Sequence, residues 1–460
     1  MNSRIFREYD IRGEVESDLT DDVATRIGKS FATYMSQKGK RCVAVGRDGR
    51  LSSPRLREKI LEGLLSGGLK VTDIGVVPTP VFYFSLFHLD LEGGIMITGS
   101  HNPSNFNGFK ICLGKETIFG PEIQNLRKIA EEGRFVQGMG SVVKINVIPA
   151  YQQYIVENIA LSRKIRLVVD SGNGTAGLVA PEIFRRLGCE VIQLYSDVDG
   201  SFPHHHPDPT LPENMEDLIE EVIRSGAEVG IGYDGDADRL GVVDSEGRIL
   251  WGDQLMILFA REILRTHPGA TIISEVKCSK TLYDDIAQKG GRGIMWKAGH
   301  SLLKNKMKEE KALLGGEMSG HMFFADRYFG FDDAIYASCR LLEILSRSQK
   351  GLSGLLADVP KTFFTPEIRL DCPDDRKFSL VERIREDFRK EYPIVDVDGV
   401  RILLPDGWGL VRASNTQPVL VLRFEADSPQ RLKEIQKLVT DKIDHLAKDA
   451  GIPIGTILGD

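Results

Sequence analysis

The chain has 460 residues, 42% of them hydrophobic and 27% charged, which is typical of a globular protein of two to four domains. Its formal net charge of −7 argues against a nucleic-acid or anionic-membrane partner, but leaves small anionic substrates possible where positive charge is local. Scattered cysteines, and the lack of a signal-peptide core or a membrane-length apolar stretch, lead us to expect a reduced, cytoplasmic protein without membrane contact.

Strand-like runs alternate with helix-like runs through most of the chain. Strands are predicted at "CVAVG" (42–46), "IRLVVD" (165–170) and "GATIISEV" (269–276), and a helix-like segment follows each of them. This β-then-α alternation is typical of mixed α/β folds. The sequence therefore predicts three related α/β domains, over residues 1–150, 151–253 and 254–366.

The last part of the chain, residues 367–460, has a different pattern. Several strand-like runs lie close together, and a final helix is predicted to begin at Ser428 and Pro429, a favourable N-cap followed by proline. Apolar residues recur on one face of this helix. The pattern indicates a small C-terminal α+β domain.

The stretch "TGSHNPSNFNGFK" (98–110) follows an apolar, strand-like run at 94–97. Its glycine, serine, asparagine and proline residues predict a turn, so Ser100 should lie on a loop at a strand end, where ligands collect in open α/β sheets. From the residues alone, Ser100 is either a turn residue or a reactive hydroxyl. Lys110 could balance phosphate charge or move protons, or it could simply be solvated.

Three aspartates alternate at Asp234, Asp236 and Asp238, between two strand-like runs. Three carboxylates so close repel each other unless a cation joins them, and hard oxygen ligands favour Mg²⁺ or Ca²⁺. An EF-hand is excluded because its glycine and glutamate positions hold Arg239 and Ser245. A solvated acidic turn is the other interpretation.

Three further polar motifs follow. His300 in "WKAGHS" could act as an acid or base, although a lone histidine is often structural. Glu317 and Ser319 in "GEMSGH" could contact sugar hydroxyls, or belong to a glycine-rich connector. Arg412 in "RASNTQP" offers a planar fork for phosphate, with neutral donors at 414–416, or the segment is an ordinary polar hairpin.

Taken together, the motifs resemble the α-D-phosphohexomutase superfamily and, within it, the bacterial phosphomannomutase/phosphoglucomutase group. The motifs that carry the resemblance occur in family order at 6–13, 45–54, 98–110, 234–239, 296–301, 316–321 and 412–418. The resemblance covers essentially the whole chain. It implies three related α/β domains and a C-terminal α+β domain around a central cleft, each contributing one active-site loop.

The resemblance also implies roles for individual residues. It implies that Ser100 is a phosphoserine and metal ligand, that Arg239 contacts it, and that Lys110 and His300 are general acids or bases. The implied Mg²⁺ ligands are Asp234, Asp236 and Asp238. The implied sugar contacts are Glu317 and Ser319, and the implied distal phosphate clamp is Arg412, Ser414, Asn415 and Thr416. Further residues implied to line the cleft are Tyr9, Arg12 and Lys277.

The activity implied by the resemblance is that of a phosphohexomutase, an isomerase and intramolecular phosphotransferase. It would interconvert hexose 1-phosphate and hexose 6-phosphate of mannose, glucose or both, through a phosphoserine and a 1,6-bisphosphorylated sugar. Mg²⁺ would be the cofactor, and glucose 1,6-bisphosphate or mannose 1,6-bisphosphate the activator. We expect a monomer, with a dimer as the open alternative.

Two alternative functions are a phosphoglucosamine mutase and a non-catalytic sugar-phosphate-binding protein. Met318 fits the phosphomannose/phosphoglucose group, since phosphoglucosamine mutases usually carry glutamine at that position. The intact Ser100, the three aspartates and Arg412 weigh against a non-catalytic protein.

Overall fold

A computed structural model describes residues 1–414 and 417–455 of the chain. Four β-sheets follow one another along the sequence, each with its own helices, and we call these units the first to fourth domains. Within the described residues, no helix combines the length and the apolar character needed to cross a membrane.

The first domain is built on a mixed sheet of seven strands. Its strands are β1 (Ile11–Glu14), β2 (Cys42–Arg47), β3 (Lys70–Val76), β4 (Gly93–Ile97), β5 (Phe106–Leu113), β6 (Glu116–Thr117) and β7 (Ser141–Lys144). Its helices are α1 (Asp21–Gln37), α2 (Ser53–Ser66), α3 (Thr79–His88) and α4 (Pro121–Glu132), after a 3-10 turn at Ser3–Ile5. The strand order is β1-β5-β4-β2-β3-β7, and β6 pairs with β5. Every residue of β4 is buried, as its apolar run predicts, so the loop after it begins in the interior.

The second domain has a five-stranded sheet. Its strands are β8 (Arg166–Asp170), β9 (Glu190–Leu194), β10 (Val229–Tyr233), β11 (Leu240–Asp244) and β12 (Ile249–Leu250). Its helices are α5 (Ile148–Asn158), α6 (Ala180–Arg186) and α7 (Glu216–Ser225), with 3-10 turns at Thr175–Leu178 and Pro212–Met215. The strand order is β12-β11-β10-β8-β9. The strands β10 and β11 are consecutive in the chain and pair antiparallel, so the loop that carries the three aspartates is a short hairpin connection between them.

The third domain has a four-stranded sheet in the order β14-β13-β15-β16. Its strands are β13 (Thr271–Glu275), β14 (Arg292–Trp296), β15 (Leu314–Gly316) and β16 (Met322–Phe324). Its helices are α8 (Gly252–Thr266), α9 (Lys280–Gln288), α10 (His300–Glu310), α11 (Ala334–Ser346) and α12 (Leu352–Leu355). The antiparallel pair β15 and β16 carries the "GEMSGH" loop.

The fourth domain has an antiparallel sheet of six strands. Its strands are β17 (Phe363–Phe364), β18 (Ile368–Asp371), β19 (Ile394–Val395), β20 (Val400–Leu404), β21 (Gly407–Ala413) and β22 (Val419–Ala426). Its helices are α13 (Lys377–Phe388) and α14 (Pro429–Asp449). The order is β17-β22-β21-β20-β19, with β18 also paired to β22. The Ser428 side chain accepts a hydrogen bond from the Arg431 N–H, as the predicted N-cap requires.

The predicted fold class, three mixed α/β domains and a C-terminal α+β domain, is therefore confirmed, while the domain boundaries stay predictions. One apolar core joins the first three domains, with Phe82, Phe184 and Phe259 among its members. The fourth domain has a core of its own. A small cluster of Val276 with Trp408 and Leu410 connects the third and fourth domains.

Candidate active site

Ser100 lies three residues after β4, in a loop whose backbone is bound by the side chains of Arg50 and Asp48. Its φ of +49° falls in the left-handed region that side chains rarely adopt, so the surrounding contacts must fix it. The fully buried Arg50 donates to four carbonyls within residues 100–106, including that of Ser100 at 2.8 Å. Asp48 accepts the Gly99 N–H at 3.0 Å. The loop is thus preorganised before any ligand binds.

The three aspartates of the β10–β11 loop meet Ser100 directly. Asp234, Asp236 and Asp238 are completely buried, and one carboxylate oxygen from each lies within 4.8 Å of those of the other two. The Ser100 hydroxyl donates to Asp234 Oδ2 at 2.7 Å. The structure therefore places the hydroxyl against the carboxylates across the boundary between the first and second domains.

Lys110, on β5 beside β4, is buried with these carboxylates. Its ammonium bonds to Asp236 Oδ2 at 2.8 Å and to Asp238 Oδ2. The same Asp236 oxygen also accepts from the Thr79 and Thr98 hydroxyls. Burial alone would lower the pKa of Lys110, but the aspartates outweigh burial and raise it. Lys110 is therefore an ammonium ion in this arrangement.

The carboxylate cluster fits a hard divalent cation. Within the described part of the chain, Asp236 Oδ1 and Asp238 Oδ1 are buried without a hydrogen-bond partner. Burial, followed by repulsion from its two neighbours, raises the pKa of Asp234. Lys110 and Arg239 supply positive charge but leave these two oxygens without a donor, and oxygen-only ligands suit Mg²⁺ or Ca²⁺. A solvated acidic turn does not describe this buried cluster.

Arg239 connects the aspartate loop to the third domain. Its backbone N–H donates to Asp234 Oδ1 at 3.1 Å, and its Nε donates to His321 Nε2 at 3.2 Å. The Leu240 N–H donates to the Gly320 carbonyl at 3.0 Å, which joins the two loops a second time. His321 closes the "GEMSGH" motif, but sequence reasoning gave it no role. Its charged neighbours are Arg239 and Asp238 in the second domain and Asp332 in the third, all distant from it in sequence or outside its motif, so only the motif itself pointed to it.

His300 is the first residue of α10 and faces Asp332. Its Nδ1 lies 3.6 Å from Asp332 Oδ2, while Lys304 donates to Asp332 Oδ1 at 2.9 Å. Burial lowers the pKa of His300, and the positive charge of Lys304 lowers it further. The imidazole is therefore neutral at neutral pH and able to accept a proton. Sequence reasoning missed Asp332 and Lys304, which belong to no recognised motif.

The loop before His300 joins the first and third domains. The Tyr9 hydroxyl donates to the Ala298 carbonyl at 2.8 Å. The Gly299 N–H donates to Glu317 Oε1 at 2.5 Å, and the Ser319 hydroxyl donates to Glu317 Oε2 at 3.2 Å. Glu317 and Ser319 thus lie together next to the loop that carries His300.

Arg412 lies near the end of β21, and Ser414 is the first residue after that strand. Arg412 is buried, and its Nε donates to Asp398 Oδ2 at 3.0 Å. The Ser414 hydroxyl accepts the Gln417 N–H at 3.1 Å. Asn415 and Thr416, also predicted for this clamp, lie outside the described residues.

Two further predicted residues hold ion pairs. The Lys277 ammonium lies 3.0 Å from Glu367 Oε2, where the third and fourth domains meet. Arg12, on β1, donates to Asn102 Oδ1 at 2.8 Å and to Asp10 Oδ2 at 2.5 Å. Arg12 therefore contacts the Ser100 loop, whereas Lys277 lies at the fourth-domain end of the site.

The predicted loops thus form one connected polar site with two ends. Ser100, Lys110 and the aspartate loop form the end that we call the reacting end, and Arg239 and His300 adjoin it through His321 and Asp332. Arg412 and Lys277 belong to the distal end, in and beside the fourth domain.

Comparison with known proteins agrees with this arrangement. The family models described as phosphoglucomutase/phosphomannomutase alpha/beta/alpha domains I, II and III match residues 3–137, 149–247 and 251–363, and the C-terminal domain of the family matches residues 367–442. The phosphomannomutase/phosphoglucomutase of Pseudomonas aeruginosa is 48% identical over 98% of this chain and 97% of its own length. The phosphoglucomutase of Neisseria gonorrhoeae is 45% identical over 96% of this chain and 98% of its own.

Solved structures extend the comparison to three dimensions. The crystal structure of a phosphoglucomutase/phosphomannomutase family protein from Burkholderia thailandensis is similar with a TM-score of 0.92 and 44% identity, covering 98% of both chains. A phosphoglucomutase from Paramecium shares the fold at a TM-score of 0.76 and 16% identity. The chain belongs to the phosphoglucomutase/phosphomannomutase family.

Proposed function

We propose that the chain is a phosphohexomutase that interconverts the 1-phosphates and 6-phosphates of mannose, glucose or both. The reaction passes through a phosphoserine at position 100 and a 1,6-bisphosphorylated sugar. The observation that carries the proposal is the 2.7 Å hydrogen bond between the Ser100 hydroxyl and Asp234, inside a buried cluster of three carboxylates. The names of the relatives, which are mutases, support it.

In the forward step, phosphorylated Ser100 transfers its phosphoryl group to the free hydroxyl of the bound sugar. The bond between phosphorus and Ser100 Oγ breaks, a bond to the sugar oxygen forms, and a base takes the hydroxyl proton. The 1,6-bisphosphorylated sugar then reorients in the site, and its other phosphoryl group is transferred to Ser100. The same residues therefore serve both half-reactions.

The reacting end must neutralise the charge of the phosphoserine, about −1.5 to −2 at neutral pH. Asp234, Asp236 and Asp238, together with the Ser100 oxygen, would hold a Mg²⁺ ion, which would stabilise that charge. The chain adds the Lys110 ammonium, which already contacts two of these aspartates. Arg239 contacts Asp234 through its backbone and is proposed to bind the phosphoserine through its side chain.

Proton transfer is assigned to His300 and Lys110. His300 is neutral because burial and Lys304 lower its pKa, so it can accept the sugar hydroxyl proton. Lys110 is protonated, so it can donate a proton to Ser100 Oγ as the bond between that oxygen and phosphorus breaks. A reversible phosphoryl transfer needs one proton acceptor and one proton donor, and the unprotonated His300 and the protonated Lys110 provide them.

The remaining residues bind the sugar and its unreacted phosphate. Glu317 and Ser319 are assigned to the sugar hydroxyls, and Arg412 with residues 414–416 to the distal phosphate. Tyr9, Arg12 and Lys277 are assigned to the walls of the site. Ser100 is only 3% exposed, which protects a phosphoserine from water. One chain supplies all of these residues, which fits a monomer.

A coupled assay tests the proposal. The protein is given mannose 1-phosphate, glucose 1-phosphate or glucosamine 1-phosphate, with and without a catalytic amount of glucose 1,6-bisphosphate, and formation of the 6-phosphate is followed. We expect turnover of at least one of the first two substrates, stimulation by the bisphosphate, and a phosphorylated peptide containing Ser100 in mass spectrometry. Turnover confined to glucosamine 1-phosphate, or activity without phosphate on Ser100, would contradict it.

A further inference from the structure

Asp398 belongs to no recognised motif, yet it lies where the third and fourth domains meet the distal end of the site. It precedes β20, and its side chain is 14% exposed. A single oxygen, Oδ2, accepts the Arg412 Nε–H at 3.0 Å and the Ala298 backbone N–H at 3.0 Å. One carboxylate oxygen therefore joins the proposed phosphate-binding arginine to the backbone of another domain.

The Ala298 segment that Asp398 binds is fixed from two other directions. The Tyr9 hydroxyl donates to the Ala298 carbonyl at 2.8 Å, and Glu317 accepts the next backbone N–H at 2.5 Å. Two residues further along, His300 begins α10. A short chain of contacts thus runs from Arg412 through Asp398 to the loop that places His300.

The contact also determines which edge of the guanidinium faces a ligand. Asp398 engages Nε, at one edge of the Arg412 group. Phosphate is bound best by two parallel N–H donors in a fixed fork, which requires the guanidinium plane to be held. A carboxylate at Nε holds that plane without itself binding the substrate.

A carboxylate beside a phosphate-binding arginine has two opposite effects on an anion. It orients the guanidinium, which strengthens binding, and it repels the incoming phosphate, which weakens binding. The Ala298 N–H, bound to the same oxygen, disperses part of the carboxylate charge and fixes its direction. This second contact favours orientation over repulsion.

We propose that Asp398 is a positioning residue of the distal phosphate clamp, holding Arg412 through Nε and tying it to the loop that precedes His300. The inference rests on the proposed function for the identity of the ligand. Asp398 does not touch the reacting atoms. It sets the geometry between the arginine that binds one phosphate and the loop beside the reacting end.

The test compares Asp398→Ala and Asp398→Asn with a matched control, Asp396→Ala. Asp396 is two residues away and pairs with Arg389 at 2.5 Å on the surface, so the control loses the same charge outside the site. Calorimetry with glucose 1-phosphate gives the dissociation constant, and steady-state kinetics give kcat and KM separately. We expect Asp398→Ala to weaken binding and raise KM about tenfold, Asp398→Asn to do so less, and Asp396→Ala to stay within about twofold of the parent.

A double-mutant cycle with Arg412→Ala separates positioning from a general structural effect. If Asp398 acts through Arg412, then Asp398→Ala should weaken binding less than about twofold further in the Arg412→Ala background. Equal effects in both backgrounds, or unchanged or tighter binding in Asp398→Ala, would overturn the inference. If Asp398→Ala does not fold, the same double-mutant cycle is measured with Asp398→Asn.

Binding calorimetry needs no turnover, so the two proposals can fail separately. A parent protein that binds glucose 1-phosphate but isomerises neither glucose 1-phosphate nor mannose 1-phosphate contradicts the proposed function alone. A parent protein that turns over normally, with an Asp398→Ala variant of equal affinity, contradicts the positioning role alone.

Discussion

The two ends of the site are built in different ways. At the reacting end, Ser100 and the three aspartates are buried and bonded directly to one another, and the domains that carry them share one apolar core. At the distal end, Arg412 belongs to a domain with its own core. A small cluster around Trp408 and polar contacts such as those of Asp398 join that domain to the third.

This difference matches the two tasks of a phosphohexomutase. Phosphoryl transfer requires fixed charges and fixed distances, since displacements of about 1 Å cost orders of magnitude in rate. The distal clamp must instead accept a phosphate at either end of the sugar. A domain with a separate core can shift as a unit without disturbing the reacting end. The four following changes test this division.

The largest effect is expected at the reacting end, from Ser100→Ala. The change removes the proposed phosphoryl carrier and leaves the distal contacts in place. Turnover should fall by at least ~1,000-fold while the dissociation constant for glucose 1-phosphate changes by less than about threefold. Single-turnover kinetics and calorimetry measure the two quantities. A variant that keeps wild-type turnover would remove Ser100 from the mechanism.

Asp236→Asn should have the next largest effect. The change removes the negative charge of one of the three carboxylates and weakens one of the two ion pairs of Lys110. Turnover should therefore fall about 100- to 1,000-fold. Chelation of divalent ions should reduce the parent protein to a similar level. Added Mg²⁺ should raise the melting temperature of the parent but not of the variant. Equal thermal shifts in both proteins would place the ion elsewhere.

Arg412→Ala tests the distal end. Hydrogen bonds to charged groups contribute about 1.5–3 kcal/mol each, so KM should rise roughly 10- to 100-fold while kcat falls much less. Arg412→Lys keeps the charge but loses the planar fork and should give an intermediate KM. Arg431→Ala, which removes a surface pair with Asp406, is the control. An unchanged KM in Arg412→Ala would exclude the arginine from the clamp.

Local pattern predicted the fold class and the individual loops of the site. Buried strands followed by polar turns were predicted from apolar runs, and the loops that carry Ser100 and the three aspartates lie where those runs end. That these loops meet did not follow from spacing. Ser100 and Asp234 are 134 residues apart, and only the resemblance to a family indicated that they share a cavity.

Residues whose partners lie far away in the sequence were missed. Arg50 binds four loop carbonyls and Asp398 joins two domains, but neither has neighbours in sequence that reveal the partner. The signal for Arg50 was its place in "VGRDGRLSSP", a motif that was recognised without a role for each residue. Such contacts depend on tertiary packing, which cannot be read from the local pattern of a single sequence.

The smallest effect is expected at the junction between the two ends, from Gly299→Ala. Gly299 has a φ of +131°, and an added Cβ would lie 2.5 Å from the Tyr9 ring. The matched control is Gly290→Ala, which has a φ of +78° and open space around the new methyl group. The control should lose only the backbone cost of a left-handed alanine, about 1–2 kcal/mol of the free energy of unfolding.

Gly299→Ala must also displace Tyr9, which breaks its hydrogen bond to Ala298. We therefore expect a further loss of ~1 kcal/mol in the free energy of unfolding and a decrease of about fivefold in kcat/KM, against less than about twofold in the control. Denaturant unfolding and steady-state kinetics measure both. Ala298 is bound by Tyr9 from the first domain and by Asp398 from the fourth. If activity falls in Gly299→Ala but not in the control, these contacts of the Ala298 loop fix the position of the distal end relative to the reacting end. Equal losses in both variants would mean that the two ends are coupled by other contacts.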